Sequence, residues 1–373
     1  MVERKKLGVG IIGAGEVAQV IHIPTLLLLN ELYRIVSICD VSPRTAAHVA
    51  HAFGISKAST DPEDVMRDAH VDVIFNLTSD EFHAPYTIAA LRAGKHVMLE
   101  KPLTLSVAAG QAIVEAERAA QGPRVFVGYM RRYAASYTQA FRREVASIPR
   151  ILYARARDIV GPNAHFVSQS GCPTVRFDDV PVEAAADRRA RLDALLREAF
   201  PGREVTPARR DFCRFLGSLG SHDLSLVRET LGMPESIGAV AAHEPFYAAI
   251  LHFRNGGAAG EPFALTYESG IDRVPRFDAH LAVYGEDKTV SITYQTPYVK
   301  GLPIVVRVEE LDERGEASTR EIRSSYEDAY TLELKELHAC LTEGKEIKTT
   351  AEDALMDLKL FKMMFDKWEE SQA

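Results

Sequence analysis

Cysteine is scarce and scattered. The 373 residues include four, Cys39, Cys172, Cys213 and Cys340, with none at metal-ligand spacing. This argues against a disulfide framework and fits free thiols in a reducing compartment. Long apolar runs are missing too. The longest, Ile23–Leu29, contains Pro24 and is far too short to span a bilayer. Met1–Lys6 is charged and runs directly into a glycine-containing strand, so no secretory signal is expected, and the expected location is cytoplasmic. An excess of positive charge is also lacking. The net charge is −8, and the pairs Arg131-Arg132, Arg142-Arg143 and Arg209-Arg210 are each too small for a nucleic-acid footprint. Such a pair can still serve an anionic small molecule. There is no internal repeat, no low-complexity tail and no Gly-x-Ser-x-Gly elbow, and no glutamate is arranged as in a zinc hydrolase. His48 and His51 have helical ligand spacing, but nothing joins them, so no metal is expected.

What is present is a globular composition, 46% apolar and 26% charged, in a chain long enough for two domains. Leu7–Ile12 reads as a buried strand. Gly13-Ala14-Gly15-Glu16-Val17-Ala18 follows, a G-x-G-x-x-A loop that opens a helix. In a dinucleotide site Gly13 permits the tight turn and Gly15 lets the backbone approach a pyrophosphate. Ala18 lets the helix pack close, and the helix start at Glu16 and Val17 attracts the anion. A second strand, Arg34–Ile38, ends at Asp40, 25 residues beyond Gly15, where a carboxylate can accept both adenosine ribose hydroxyls and repel a 2′-phosphate. That favours NAD. Ser42 and Arg44 can hold a 2′-phosphate, which keeps NADP as the lesser alternative. Asp40 can also be a simple turn cap before Pro43.

Strands at Val71–Leu77, His96–Leu99 and Val125–Val127 alternate with helices at Pro62–Asp68, Phe82–Ala93 and Ser106–Ala120. This alternation predicts a doubly wound parallel sheet over residues 1–128, with the strand ends at Gly13, Asp40, Thr78, Glu100 and Gly128 along one edge. Lys101 stands at such an end. Pro102 restricts it to extended backbone angles, so it can be a proton donor, a substrate anchor or an ion-pair partner.

Gly10–Gly15, His83-Ala84-Pro85 and, above all, Ala93-Gly-Lys-His-Val-Met-Leu-Glu-Lys-Pro102 resemble the Gfo/Idh/MocA family of NAD(P)-dependent sugar and inositol dehydrogenases. The resemblance covers the whole first domain. It implies that Lys101 contacts substrate and helps the proton transfer, that Glu100 lies near the nicotinamide, and that Thr78 and His83 serve the cofactor; His83 can instead make a structural hydrogen bond. It also implies a Lys101–Pro102 bond that is often cis. His22 can border the nicotinamide or simply pack. Tyr129-Met130-Arg131 matches the family's segment entering the substrate face, with Met130 in place of a common asparagine; Arg131 or Arg132 can bind a carboxylate or hydroxyls there.

From Arg150 the apolar period becomes two. Strands near Ile151–Arg157, Ile237–His243, Ala248–Phe253, Phe263–Glu268, Ala279–Tyr284, Thr289–Tyr294 and Ile304–Glu309 predict a mostly antiparallel sheet in residues 129–373. By resemblance this open sheet carries helices on one face, and its other face makes a homodimer or homotetramer. Helices are expected at 134–146, 326–342 and 350–369, the last packing at the domain junction. Residues 161–210 break the pattern. Their charged helix, Pro181–Phe200, can be a lid, an oligomer arm or surface packing.

Gly217-Ser218-Leu219-Gly220-Ser221-His222-Asp223 opens another helix. The family has an aspartate four residues before its catalytic histidine, so both face the substrate. The resemblance makes His222 the group that takes the hydroxyl proton. The aspartate position is Ser218, which offers a hydrogen bond but no charge. Asp158 or Asp211 can substitute, and Asp223 reads as a cap or ion-pair partner. The expected function is an NAD-dependent oxidoreductase acting on a secondary alcohol of a sugar, cyclitol or related polyol. The alternatives are a non-catalytic NAD(P)-binding regulator of the same fold or an NAD-dependent glycosidase.

Overall fold

The computed structural model describes residues 5–257 and 259–372. Met1–Arg4, part of the charged lead-in, lies outside them. The chain forms two compact units, each discontinuous in sequence.

The first unit is built on six parallel strands: β1 (Leu7–Ile12), β2 (Tyr33–Cys39), β3 (Lys57–Ser59), β4 (Val73–Asn76), β5 (His96–Glu100) and β6 (Val125–Gly128), in the order β3-β2-β1-β4-β5-β6. β1, β4 and β6 are buried along their whole length, as strands covered on both faces must be. The helix at Pro43–Phe53 starts on a capping Ser42, whose hydroxyl accepts the Thr45 N–H, and stops at Gly54, which is left-handed at φ 68°. Asp61 and Ser106 cap the helices Pro62–Arg67 and Val107–Ala120 in the same way. The expected sheet is present, with one strand the pattern does not announce. β3 has only three residues, two of them exposed, so no apolar run marks it.

This unit also takes in residues 170–217 and 333–358, so a single cut after Gly128 does not describe it. The charged helix, here Val182–Ala199, packs on the helix Asp80–Arg92. It buries Leu196, and Arg188 donates to the buried Glu81 carboxylate at 2.6 Å. Arg191 lies 5.4 Å over the Phe82 ring. The helix Ala329–Thr342 enters through its own backbone, as the Tyr33 hydroxyl donates to Leu334 O at 2.6 Å. The helix Ala351–Glu370 gives residues to both units.

The second unit holds eight strands, β7 (Tyr153–Val160), β8 (Ser236–His243), β9 (Phe246–Arg254), β10 (Pro262–Ile271), β11 (Phe277–Tyr284), β12 (Lys288–Tyr294), β13 (Val305–Leu311) and β14 (Ala317–Ile322). Their order is β14-β13-β12-β11-β7-β10-β9-β8, and only β7–β10 is a parallel pairing. In β7, Ala154, Ala156, Asp158 and Val160 are buried on one face while Arg155 and Arg157 stay half-open on the other. That is the period of two read as sidedness. β14 is exposed at five of six residues, which is why no alternation gives it away. The expected helix 134–146 is present from residue 135 to 146, its first turns Ser136–Phe141 π-helical and its last Arg142–Ala146 α-helical, and a 3-10 turn at Met130–Tyr133 precedes it.

Glu144, on the last of these turns, ties that corner together. Its carboxylate accepts from Arg320 at 2.6 Å, Lys288 at 2.7 Å and Arg143 at 2.9 Å. Burial opposes ionisation, but the three cationic donors outweigh it and hold the carboxyl at about 2. A folded-state value below the unfolded one adds stability that is present above pH 4.5 and is lost as pH falls toward 2. Glu144→Gln should therefore flatten the fall in melting temperature between pH 5 and pH 2. An unchanged acid limb would show that the cluster does not contribute.

Among the described residues no helix is long and apolar enough to cross a membrane, and no group of three or more His, Cys, Asp or Glu side chains could hold a metal ion. His48 instead packs edge-on against Phe177, with centroids 5.8 Å apart.

Candidate cofactor and catalytic site

Parallel order carries the carboxyl ends of β1, β2, β4, β5 and β6 to one edge of the first sheet, the edge on which such sheets bind ligands. Gly13 turns there at φ 98°, and a Cβ at this position would lie 2.6 Å from Leu77 O, so no other residue fits without moving backbone. Gly15 is the opposite case. A Cβ there would meet nothing within 4 Å, leaving the backbone open for a pyrophosphate to approach. The helix begins at Glu16 and Val17, which place their N–H groups at that opening. Asp40, at the end of β2, accepts the Ala14 N–H at 2.8 Å and the Ser42 N–H at 2.9 Å. It is thus the turn cap, and it binds the Gly13–Gly15 loop as well. Each oxygen keeps a further lone pair for a ribose hydroxyl. The open glycine, the helix start and the half-buried carboxylate fit a dinucleotide.

Beside this loop lies the β5 end. The Lys101–Pro102 peptide bond is cis. His83 holds the turn from below, with Nδ1 2.7 Å from Pro102 O and Nε2 3.1 Å from Thr78 O. The imidazole is buried, so it joins the β4 and β5 loop ends rather than facing an opening. Thr78 is half-buried, and its hydroxyl donates to Asn76 at 2.7 Å. Glu100 turns inward as well. One carboxylate oxygen meets His22 Nε2 at 2.7 Å and the other accepts the Lys101 N–H at 3.1 Å. Burial would push the Glu100 carboxyl up, but the His22 hydrogen bond and the nearby Lys101 charge bring it below the ordinary range, so it stays ionised. His22 is fully buried against Phe75. It packs, and it ties the helix after the glycine loop to the end of β5. The apolar setting of His22, three residues beyond Gln19 in an Ala18–His22 π-helical segment, gave no such signal in the sequence. Lys101 itself is half-exposed, the charged residue that this turn presents. Gly217 abuts the same turn: a Cβ there would come within 3.2 Å of Pro102 Cγ.

In the second unit the expected substrate residues are arranged differently. Arg131 is buried, at 3% exposure. It donates to Asp158 at 2.9 Å and to Asp223 through its other terminal nitrogen, and stacks 5.2 Å from the Tyr294 ring centroid. A guanidinium engaged by two carboxylates is not an open anchor, so the expectation that Arg131 binds substrate is corrected. Arg132 is buried on Glu229. Tyr129, at the end of the first unit, is 1% exposed and likewise offers no open face. Asp223 is the ion-pair partner its position suggested. Asp158 is part of the same buried cluster, and Asp211 lies on the helix Pro207–Phe215. Burial raises both Asp158 and Asp223. Asp223 rises further because it faces the Asp158 charge. Ser218 is exposed and His222, at the start of the helix Ser221–Leu231, is half-buried.

Residues 7–129 match the family model described as the oxidoreductase family's NAD-binding Rossmann fold, and residues 209–373 match that family's C-terminal alpha/beta domain. The chain belongs to the Gfo/Idh/MocA family. Residues 7–129 are the family's NAD-binding domain, and residues 130–208, including the charged helix, lie between the two matches. Inositol 2-dehydrogenase 2 of Saccharopolyspora erythraea is 35% identical over 36% of this chain and 40% of its own length. Myo-inositol 2-dehydrogenase of Thermotoga maritima is 25% identical over 94% of this chain and 93% of its own. The chain thus matches well under half the length of the first relative at the higher identity. Among solved structures, a levoglucosan dehydrogenase in complex with NADH and levoglucosan superposes with a TM-score of 0.73 at 16% identity, over 98% of both chains. The 3-ketoreductase KijD10 of Actinomadura kijaniata, in complex with NADP and TDP-benzene, gives 0.70 at 16%, again over 98% of both. At these identities the likeness establishes the fold.

Proposed function

We propose that this family member is an NAD-dependent dehydrogenase that exchanges a hydride with a secondary alcohol or ketone of a sugar, cyclitol or related polyol. The observation that carries the reading is Lys101, presented on a turn that His83 and Glu100 brace from two sides, at the same sheet edge as Gly13, Gly15 and Asp40. Gly13, Gly15, Glu16, Val17, Asp40 and Thr78 would hold the dinucleotide. When bound, it supplies the hydride acceptor. Lys101 binds the reacting oxygen and stabilises the charge that develops on it, and His222 takes the hydroxyl proton. Ser218 contributes a hydroxyl in place of a carboxylate. The relatives named for inositol and the neighbour solved with levoglucosan support a polyhydroxylated substrate. A panel of inositols, anhydrosugars and aldoses with NAD, followed at the reduced-nicotinamide absorbance band, tests the reading. Tight NAD binding with no turnover on any of them would favour the non-catalytic regulator that the serine at 218 suggests.

His83 acts here as a positioning residue. His83→Ala should lower turnover roughly tenfold or more by loosening the Lys101 turn, with the dissociation constant for NADH changed by less than about threefold. A large loss of NADH affinity with normal turnover would return His83 to the cofactor-binding role.

A further inference from the structure

Residues 170–181 belong to the first unit and lie against its strand-end edge. Two contacts set their course. The Gln19 side chain bonds both backbone groups of Val175, each at 2.9 Å, immediately beyond the glycine loop. Farther on, Phe177 lies under the Arg44 guanidinium at 4.2 Å. Between them these contacts deliver Asp179 to the start of the helix Pro43–Phe53. One Asp179 oxygen accepts the Ser42 hydroxyl, and the other accepts the Arg44 N–H at 2.9 Å.

Ser42 and Arg44 are the groups by which this edge could have held a ribose 2′-phosphate. The hydroxyl and the helix N–H now serve a carboxylate, and the guanidinium lies on an aromatic ring. Asp40 stands two residues away, bonded to the Ser42 N–H at 2.9 Å. An incoming 2′-phosphate, with about two negative charges, would meet two carboxylates and find the Ser42 hydroxyl and the Arg44 backbone N–H taken.

We propose that Asp179 is a specificity residue that occupies the 2′-phosphate position, so that the preference for NAD over NADP is set by the 170–181 segment as well as by Asp40. The proposal rests on the reading of this edge as a dinucleotide site. It adds a determinant from a part of the chain that lies outside both family matches. The Ser42 hydroxyl lowers the Asp179 carboxyl below its usual range, consistent with an anion at neutral pH.

The test is equilibrium binding of NADH and NADPH to the full chain, read by nicotinamide fluorescence, for the unaltered protein, Asp179→Asn, Asp179→Ser and Asp178→Ala. Asparagine keeps the shape and one acceptor oxygen and removes the charge; serine is the second variant should the first fold poorly. Asp178 is the exposed neighbour and controls for bulk charge. The unaltered protein should prefer NADH by more than about tenfold. Removing the Asp179 charge should tighten NADPH about tenfold, with NADH changed less than about threefold. Asp178→Ala should change neither. Unchanged NADPH affinity in both Asp179 variants, or an equal gain in Asp178→Ala, would overturn the proposal. Failure of the unaltered protein to bind either dinucleotide would defeat the cofactor reading itself, a result distinct from these.

Discussion

Lys101→Met is expected to abolish nearly all turnover, lowering kcat/KM by about 100- to 10,000-fold, the range for removing a positioned proton-transfer group. The affinity for NADH should stay within a few-fold, because the glycine loop, the helix start and Asp40 do not depend on the lysine side chain. The large effect follows from the local construction. The half-exposed ammonium is held on a turn whose carbonyl at Pro102 is fixed by His83 and whose N–H at Lys101 is fixed by Glu100. With Ser218 in place of the family aspartate, the lysine carries a larger share of the proton handling. Lys101→Arg separates its two possible jobs. Arginine keeps the charge but does not release a proton at neutral pH, so a pure electrostatic anchor would be largely restored and a proton carrier would not. Near-normal steady-state turnover of Lys101→Met on a substrate accepted by the unaltered protein would sink the assignment.

Arg131→Met should destabilise the protein by about 3–5 kcal/mol, the loss seen when one partner of a buried ion pair is removed. The unfolded chain solvates Asp158 and Asp223 freely. The folded variant would have to bury both with no cation between them. Burial raises both carboxyls, Asp223 the more because it faces the Asp158 charge, so the uncompensated charge weighs most on Asp158, which is fully buried. Adding Asp158→Asn to Arg131→Met should therefore recover part of the loss, and adding Asp223→Asn should recover less. Urea denaturation of the single and double variants measures this. A single variant within about 1 kcal/mol of the unaltered protein would mean that Arg131 is not the keystone of the cluster, and would reopen its assignment as a substrate anchor.

The sequence carried the architecture of the first sheet because its strands are apolar runs separated by helices with recognisable caps, and both signals are local. It carried the second sheet through alternation, and missed β14 where exposure on both faces erases the alternation. The glycine loop, Asp40 and Lys101 were legible for the same reason, since each is defined by neighbours within a few positions. Arg131 was misread because an arginine at a segment entering a substrate face looks the same in sequence whether it is open or saturated. Its partners are 27 and 92 residues away, and a pairing over that distance leaves no periodic trace. The same holds for His22 with Glu100, for Arg188 with Glu81 and for Asp179 with Ser42.

By itself, then, the sequence determined the two kinds of sheet, the edge where a dinucleotide can lie and the lysine at the end of β5. These follow from periodicity, strand ends and turn chemistry, which act between near neighbours. The tertiary structure decided which charges are open and which are spent. It turned Glu100 inward to His22, made His83 a brace, buried Arg131 between two acids and set Asp179 on the donors of Ser42 and Arg44. Each of these pairings joins residues far apart in sequence, so only folding brings the partners together.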